Sequence, residues 1–132
     1  MTPVRVLFSL VLAAIALAGL AAAVLQSGLL SIDRAELEVR YTTPDSRFAQ
    51  IDGVRLHYVD QGAGPVVVLL HASFMNLRTW DSMAAALAKD FRVIRPDLLI
   101  AGLTGPEPDG RYSFDRNREL VLGLLDQLGV ER

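Results

Sequence analysis

The sequence predicts an α/β chain in which one long apolar helix precedes a β-hairpin and then a strand, helix, strand, loop and helix. Three observations carry that expectation. Val6 to Leu25 is a twenty-residue apolar run broken only by Ser9, Asp52-Gly53 separates two alternating segments, and Val66 to Leu70 is an unbroken apolar run rich in valine.

The apolar run is long enough to span a bilayer, since twenty helical residues reach roughly 30 Å. Arg5 is the only charged residue among the first 32. The length favours an uncleaved signal anchor. Ala16-Leu17-Ala18 and Ala21-Ala22-Ala23 leave a cleaved signal peptide as the alternative. A soluble core helix of this length would carry a polar stripe, and this one has none. Arg5 on the amino side places the N-terminus in the cytoplasm and the remainder outside, with the lipid bilayer as partner of residues 6–25. Residues 33–46 read as a juxtamembrane connector, with Ser31 capping a short helix that runs through Glu38.

Residues 47–132 form the globular part. Phe48 to Ile51 and Val54 to Asp60 alternate around Asp52-Gly53, the signal of a two-residue type I′ hairpin. Val66 to Leu70 predicts a central parallel strand covered on both faces. Apolar positions 80, 83, 84, 87 and 88 predict a core-facing helix with Thr79 as N-cap. Phe91 to Ile94 is the next strand, and Asp97 to Gly110 is loop. Ser113 opens a last helix with apolar positions 114, 121, 122, 125 and 128, whose stop is Gly129. Asp115, Arg116, Arg118 and Glu119 read as its solvated face. Strands joined through helices predict right-handed crossovers in a mainly parallel sheet.

Composition excludes several classes. The chain has no cysteine, two histidines and a formal net charge of -2. No disulfide framework, zinc-thiolate site or cysteine nucleophile can exist, a metal site is not expected, and nucleic acid finds no basic face.

The stretches Ile51 to Tyr58, Gly64 to His71, Thr79-Trp80, Arg92 to Leu98 and Gly102 to Pro106 resemble, in order and spacing, the opening half of an α/β-hydrolase. An apolar N-terminal anchor ahead of such a domain resembles a bacterial, membrane-anchored subgroup of that family. The resemblance implies the first half of the family's sheet and hydrolysis of an ester-type or related small-molecule substrate without a cofactor. It also implies a catalytic serine, or an aspartate in dehalogenase-like and epoxide-hydrolase-like members, on a sharp G-x-S-x-G turn, with an acid and a histidine following. No G-x-S-x-G occurs in the 132 residues. The expectation is therefore a partial domain that ends before the nucleophile and is inactive by itself, the alternative being a non-enzymatic, membrane-tethered fragment of a split or truncated gene.

No residue is expected to be catalytic through its side chain. The resemblance makes Ser73 a backbone donor to an oxyanion, in a loop with His71, Ala72 and Phe74. His71 reads as a structural histidine bonding loop backbone, His57 as a strand side chain, and Asp97 as a brace for the adjoining loop. Ala72 stands where the family has Gly, so strain is expected there if the position needs a positive φ. Leu99, Ile100 and Ala101 replace a Pro or Arg, a Gly, and an aromatic residue or His. An incomplete sheet would also leave an exposed edge open to pairing.

Overall fold

The computed structural model describes residues 3–29 and 31–131, so Met1, Thr2 and Leu30 of the expected anchor segment and the final Arg132 lie outside the described residues. The chain divides into two compact units, Met1–Glu36 and Leu37–Arg132.

In the first unit, α1 (Pro3–Gln26) has no buried residue. It is long and apolar enough to cross a membrane, as a span or as a signal sequence. Its one interior polar side chain is satisfied locally, because the Ser9 hydroxyl donates to the Arg5 carbonyl at 3.0 Å. The next helix, α2 (Arg34–Tyr41), is capped by Asp33, whose Oδ1 accepts from the Ala35 N–H at 2.9 Å. Ser31 instead donates to the Gly28 carbonyl, so the expected Ser31 cap is corrected to Asp33.

In the second unit, β1 (Ser46–Ile51) and β2 (Val54–Gln61) form the hairpin, with Ile51 opposite Val54. Asp52 (φ 44°) and Gly53 (φ 83°) are both left-handed, as a type I′ turn requires. β3 (Val66–Val68) and β4 (Arg92–Pro96) complete a mixed sheet of order β1-β2-β4-β3, in which only β3 and β4 are parallel. Two expectations are corrected here. The described sheet is not mainly parallel, and β3 is its edge rather than a central strand, with Val66 exposed. The valine run reflects a strand made to be covered, although no neighbour on its outer side is among the described residues.

The connection from β3 to β4 runs through a 3-10 turn (Leu77–Trp80) and α3 (Asp81–Leu87). Asn76, not Thr79, caps it, its side chain accepting from the Arg78 N–H. Among the expected core positions Ala84 is buried, while Met83 is exposed.

The apolar core lies on one face of the sheet, where α4 (Phe114–Gln127) lays Leu120, Val121, Leu124 and Leu125 against Ile51, Leu56, Tyr58 and Ile94. Ser113 caps α4 by accepting from the Arg116 N–H, and Gly129 (φ 66°) ends it as the Val130 N–H returns to the Leu125 carbonyl. Phe114 is exposed, against expectation, because it is the first helical residue and projects ahead of the core face. Arg116, expected in solvent, is 2% exposed among carboxylates. The opposite face of the sheet is mixed, with His57 and Arg95 buried among hydrogen bonds beside the buried Val59 and Val93. β2 breaks its alternation at Tyr58-Val59 because both faces are covered at that point.

Candidate active-site cleft

In sheets of this kind ligands gather beyond the carboxyl ends of the parallel strands. There the loop after β3 and the loop after β4 face each other across a cleft of about 620 Å³, bounded also by the start of α4. His71, Ser73 and Phe74 come from one loop, Leu99 and Ile100 from the other, and Asn117 from α4.

Backbone-directed hydrogen bonds fix these loops. His71 donates from Nδ1 to the Ala72 carbonyl at 2.9 Å and accepts at Nε2 from the Leu98 N–H at 2.9 Å, which ties one loop to the other. Both ring nitrogens are thereby used. Asn117 accepts from the Leu99 N–H at 2.9 Å and anchors the second loop to α4.

Asp97 is the deeper brace. Its Oδ1 accepts from the Leu77 N–H at 2.8 Å, and its Oδ2 accepts from the Leu103 N–H at 2.9 Å and from His57 Nδ1 at 2.7 Å. Thr104 closes the network, donating to the Asp97 carbonyl at 2.6 Å and accepting from the His57 N–H at 3.0 Å. Burial pushes the Asp97 carboxyl up. The hydrogen bonds from His57, Leu77 and Leu103 outweigh burial and hold it below the ordinary aspartate range.

Ser73 is exposed in the loop, and its N–H has no acceptor among the described residues. Phe74, its neighbour, is fully exposed with φ 63°. Ala72 is not in the left-handed region, so the strain considered for it falls at Phe74 and at Ile100 (φ 61°) instead. A β-branched residue at such a φ is strained. Ile100 stands where the resemblance places glycine, which takes that φ without cost. Replacing the 84%-exposed Ile100 with asparagine, which tolerates the left-handed region, is expected to raise stability by about 1 kcal/mol. Denaturant unfolding of the full chain in detergent, followed by the single Trp80, measures it. An unchanged or lower midpoint would mean that the backbone at Ile100 is not strained.

The α/β-hydrolase fold family matches residues 65–132. This chain belongs to that family. It is 31% identical over 88 residues to haloalkane dehalogenase 2 of Mycobacterium tuberculosis, covering 67% of this chain and 31% of that protein. It is 40% identical over 89 residues to a soluble epoxide hydrolase of a Corynebacterium species, covering 62% of this chain and 30% of the relative. Among solved structures, an epoxide hydrolase from Vigna radiata superposes with a TM-score of 0.61 at 30% identity, over 66% of this chain and 29% of that one. An enol-lactonase from Burkholderia xenovorans gives 0.60 at 34% identity, over 65% and 34%. The chain thus spans about a third of the length of these hydrolases.

Sequence reading missed the cluster of His57, Asp97 and Ser46. His57 and Asp97 are 40 positions apart, and nothing in strand periodicity links them. The one available signal was the break of alternation at Tyr58-Val59, which marks β2 as covered on both faces.

Proposed function

We propose that residues 37–132 supply the substrate-facing front of an α/β-hydrolase that opens a small-molecule ester, carbon–halogen or epoxide bond, with the Ser73 N–H as a donor to the developing oxyanion. The observation that carries the reading is that unspent N–H at the mouth of the cleft. Similarity to a dehalogenase, an epoxide hydrolase and an enol-lactonase supports the bond classes. The nucleophile, acid and base belong to sequence outside these 132 residues, and the open edge of β3 is where the sheet takes its next strand. Residues 1–132 alone therefore do not turn over a substrate in this cleft. α1 anchors the protein in the membrane with its N-terminus cytoplasmic, supported by its apolar length and by Arg5.

The test is made in the longest product of the reading frame that holds these residues and a nucleophile turn. Ser73→Pro, which deletes the N–H, is expected to lower kcat about 10²-fold, whereas Ser73→Ala keeps the N–H and the rate. Equal rates in the two variants would remove Ser73 from the mechanism. Turnover of p-nitrophenyl octanoate, a haloalkane or an epoxide by residues 1–132 alone would overturn the assignment of the nucleophile to other sequence. For the anchor, the absence of native cysteine makes Lys89→Cys a clean reporter. An impermeant maleimide added to intact cells should label it, and labelling only after lysis would reverse the orientation.

A further inference from the structure

We propose that a second pocket, on the face of the sheet opposite α4, is an acyl-accepting site in which Ser46 is the nucleophile, His57 its base and Asp97 the residue that orients His57. Its walls share no residue with the cleft described above, although Asp97 also braces the loops of that cleft.

The three side chains form a continuous relay. Ser46 Oγ lies 3.0 Å from His57 Nε2, and His57 Nδ1 lies 2.7 Å from Asp97 Oδ2. Both distances fall in the range at which a base activates a hydroxyl and a third group orients the base. Asp97 already accepts from two backbone N–H groups, and its carboxyl is held ionised. Its oxygen therefore accepts from the Nδ1–H of His57, which leaves Nε2 to accept from the Ser46 hydroxyl. The Thr43 N–H donates to the same oxygen at 3.0 Å and fixes the Ser46 rotamer. His57 is 3% exposed, so its ring is held rather than solvated.

The relay opens onto a cavity of about 230 Å³, whose walls include Ser46, His57 and Arg95 together with the apolar Tyr41, Val59 and Leu77. Arg95 supplies a second, independent pointer to a ligand. Its guanidinium is buried, with Nη1 on Asp81 at 2.7 Å and Nη2 on Gln61 at 3.0 Å, while Nε–H has no hydrogen-bond partner among the described residues. A buried N–H of this kind calls for an acceptor. The charge of Arg95 is already balanced by Asp81, so the acceptor is a neutral carbonyl and not a carboxylate. The size admits a short acyl group.

In the step proposed, Ser46 Oγ bonds to the carbonyl carbon of an ester as its proton passes to His57 Nε2. The carbonyl electron pair moves to oxygen, which accepts from Arg95 Nε–H. The pair then re-forms the carbonyl, the bond to the leaving alkoxide breaks, and that alkoxide takes the proton from His57, leaving acyl-Ser46.

The full chain in detergent is treated with p-nitrophenyl acetate and read by p-nitrophenolate release, intact mass and peptide mapping. The expected result is saturable transfer of one acetyl group to Ser46. Ser46→Ala abolishes it, and His57→Gln slows it about 10²-fold while Trp80 emission stays native. Arg95→Lys, which keeps the charge and loses the Nε–H, also slows it. Lys89→Arg, which removes the only lysine, leaves the Ser46 adduct intact. Acetylation that maps elsewhere, or an unchanged rate in His57→Gln, would overturn the proposal. Failure here leaves the Ser73 test unaffected, since neither its residues nor its substrates are shared.

Discussion

Asp97→Ala is expected to cost about 4 kcal/mol, enough to unfold much of a domain of this size. The side chain accepts from Leu77, Leu103 and His57 in a site where the residue is 1% exposed. Its removal strands three donors away from water, each worth about 1–3 kcal/mol. The pH dependence has a definite sign. The folded carboxyl titrates below its ordinary value of 3.8, so its contribution is complete above that value and is lost as the pH falls through the folded pKa. Asp97→Ala should remove that acid limb from the stability curve. A coupling experiment isolates the cause. Gly102 has φ 50°, and a Cβ there would meet the Asp97 carboxylate head on. Gly102→Ala alone is expected to cost about 3 kcal/mol, from the collision and the left-handed backbone together. In the Asp97→Ala background only the backbone cost remains, about 1–2 kcal/mol. Denaturant unfolding of the four proteins, followed by Trp80, gives the coupling. Strict additivity would show that Asp97 and Gly102 do not share the contact.

Local signals in the sequence reached as far as local physics does. The hairpin was legible because Asp52-Gly53 alone demands two left-handed residues, and the ends of α4 because Ser113 and Gly129 are a cap and a stop by their own chemistry. The loop bearing Ser73 and His71 was legible by its resemblance to a family. What escaped was held by long-range polar pairing. His57 reads as an ordinary alternating strand residue until β4 brings Asp97 beside it. Similarly, Arg116 reads as a solvated helix charge until the hairpin turn, 64 positions earlier, arrives against it. The expected core position at Phe114 failed for a related reason, because helical periodicity does not say where the first turn clears the sheet. The strain at Ile100 was misplaced onto Ala72, since a departure from glycine names a suspect position but not its φ.

Arg116→Met is the second change of large effect, with an expected loss of about 3–5 kcal/mol. The Arg116 guanidinium is 2% exposed and joins three parts of the fold. It donates from Nε to Glu107 Oε1 at 3.1 Å, from Nη2 to the Asp52 carbonyl at 2.8 Å, and from Nη1 to the Asp52 carboxylate and to Glu119. Methionine fills the aliphatic volume but takes the closer of two cations from the buried Glu107 carboxylate, which keeps the Arg111 guanidinium at 3.6 Å and the N–H groups of Asp109 and Arg111. The loss of that nearest countercharge, more than lost contacts, sets the cost. Two consequences separate that cause from simple loss of packing. Adding Glu107→Met to Arg116→Met should restore much of the stability, because a buried pair exchanged for apolar groups is often neutral. The loss should also shrink on acidification. Burial pushes the Glu107 carboxyl up, and in the wild type the N–H groups of Arg111 and Asp109 with the charges of Arg111 and Arg116 outweigh it and hold the pKa low. Without Arg116 that pKa rises, so the variant sheds its under-compensated charge at a pH where the wild type still keeps its pair. Unfolding midpoints at neutral and mildly acidic pH decide the matter: a loss independent of pH, or a double variant no better than the single, would show that shape rather than charge is what Arg116 contributes.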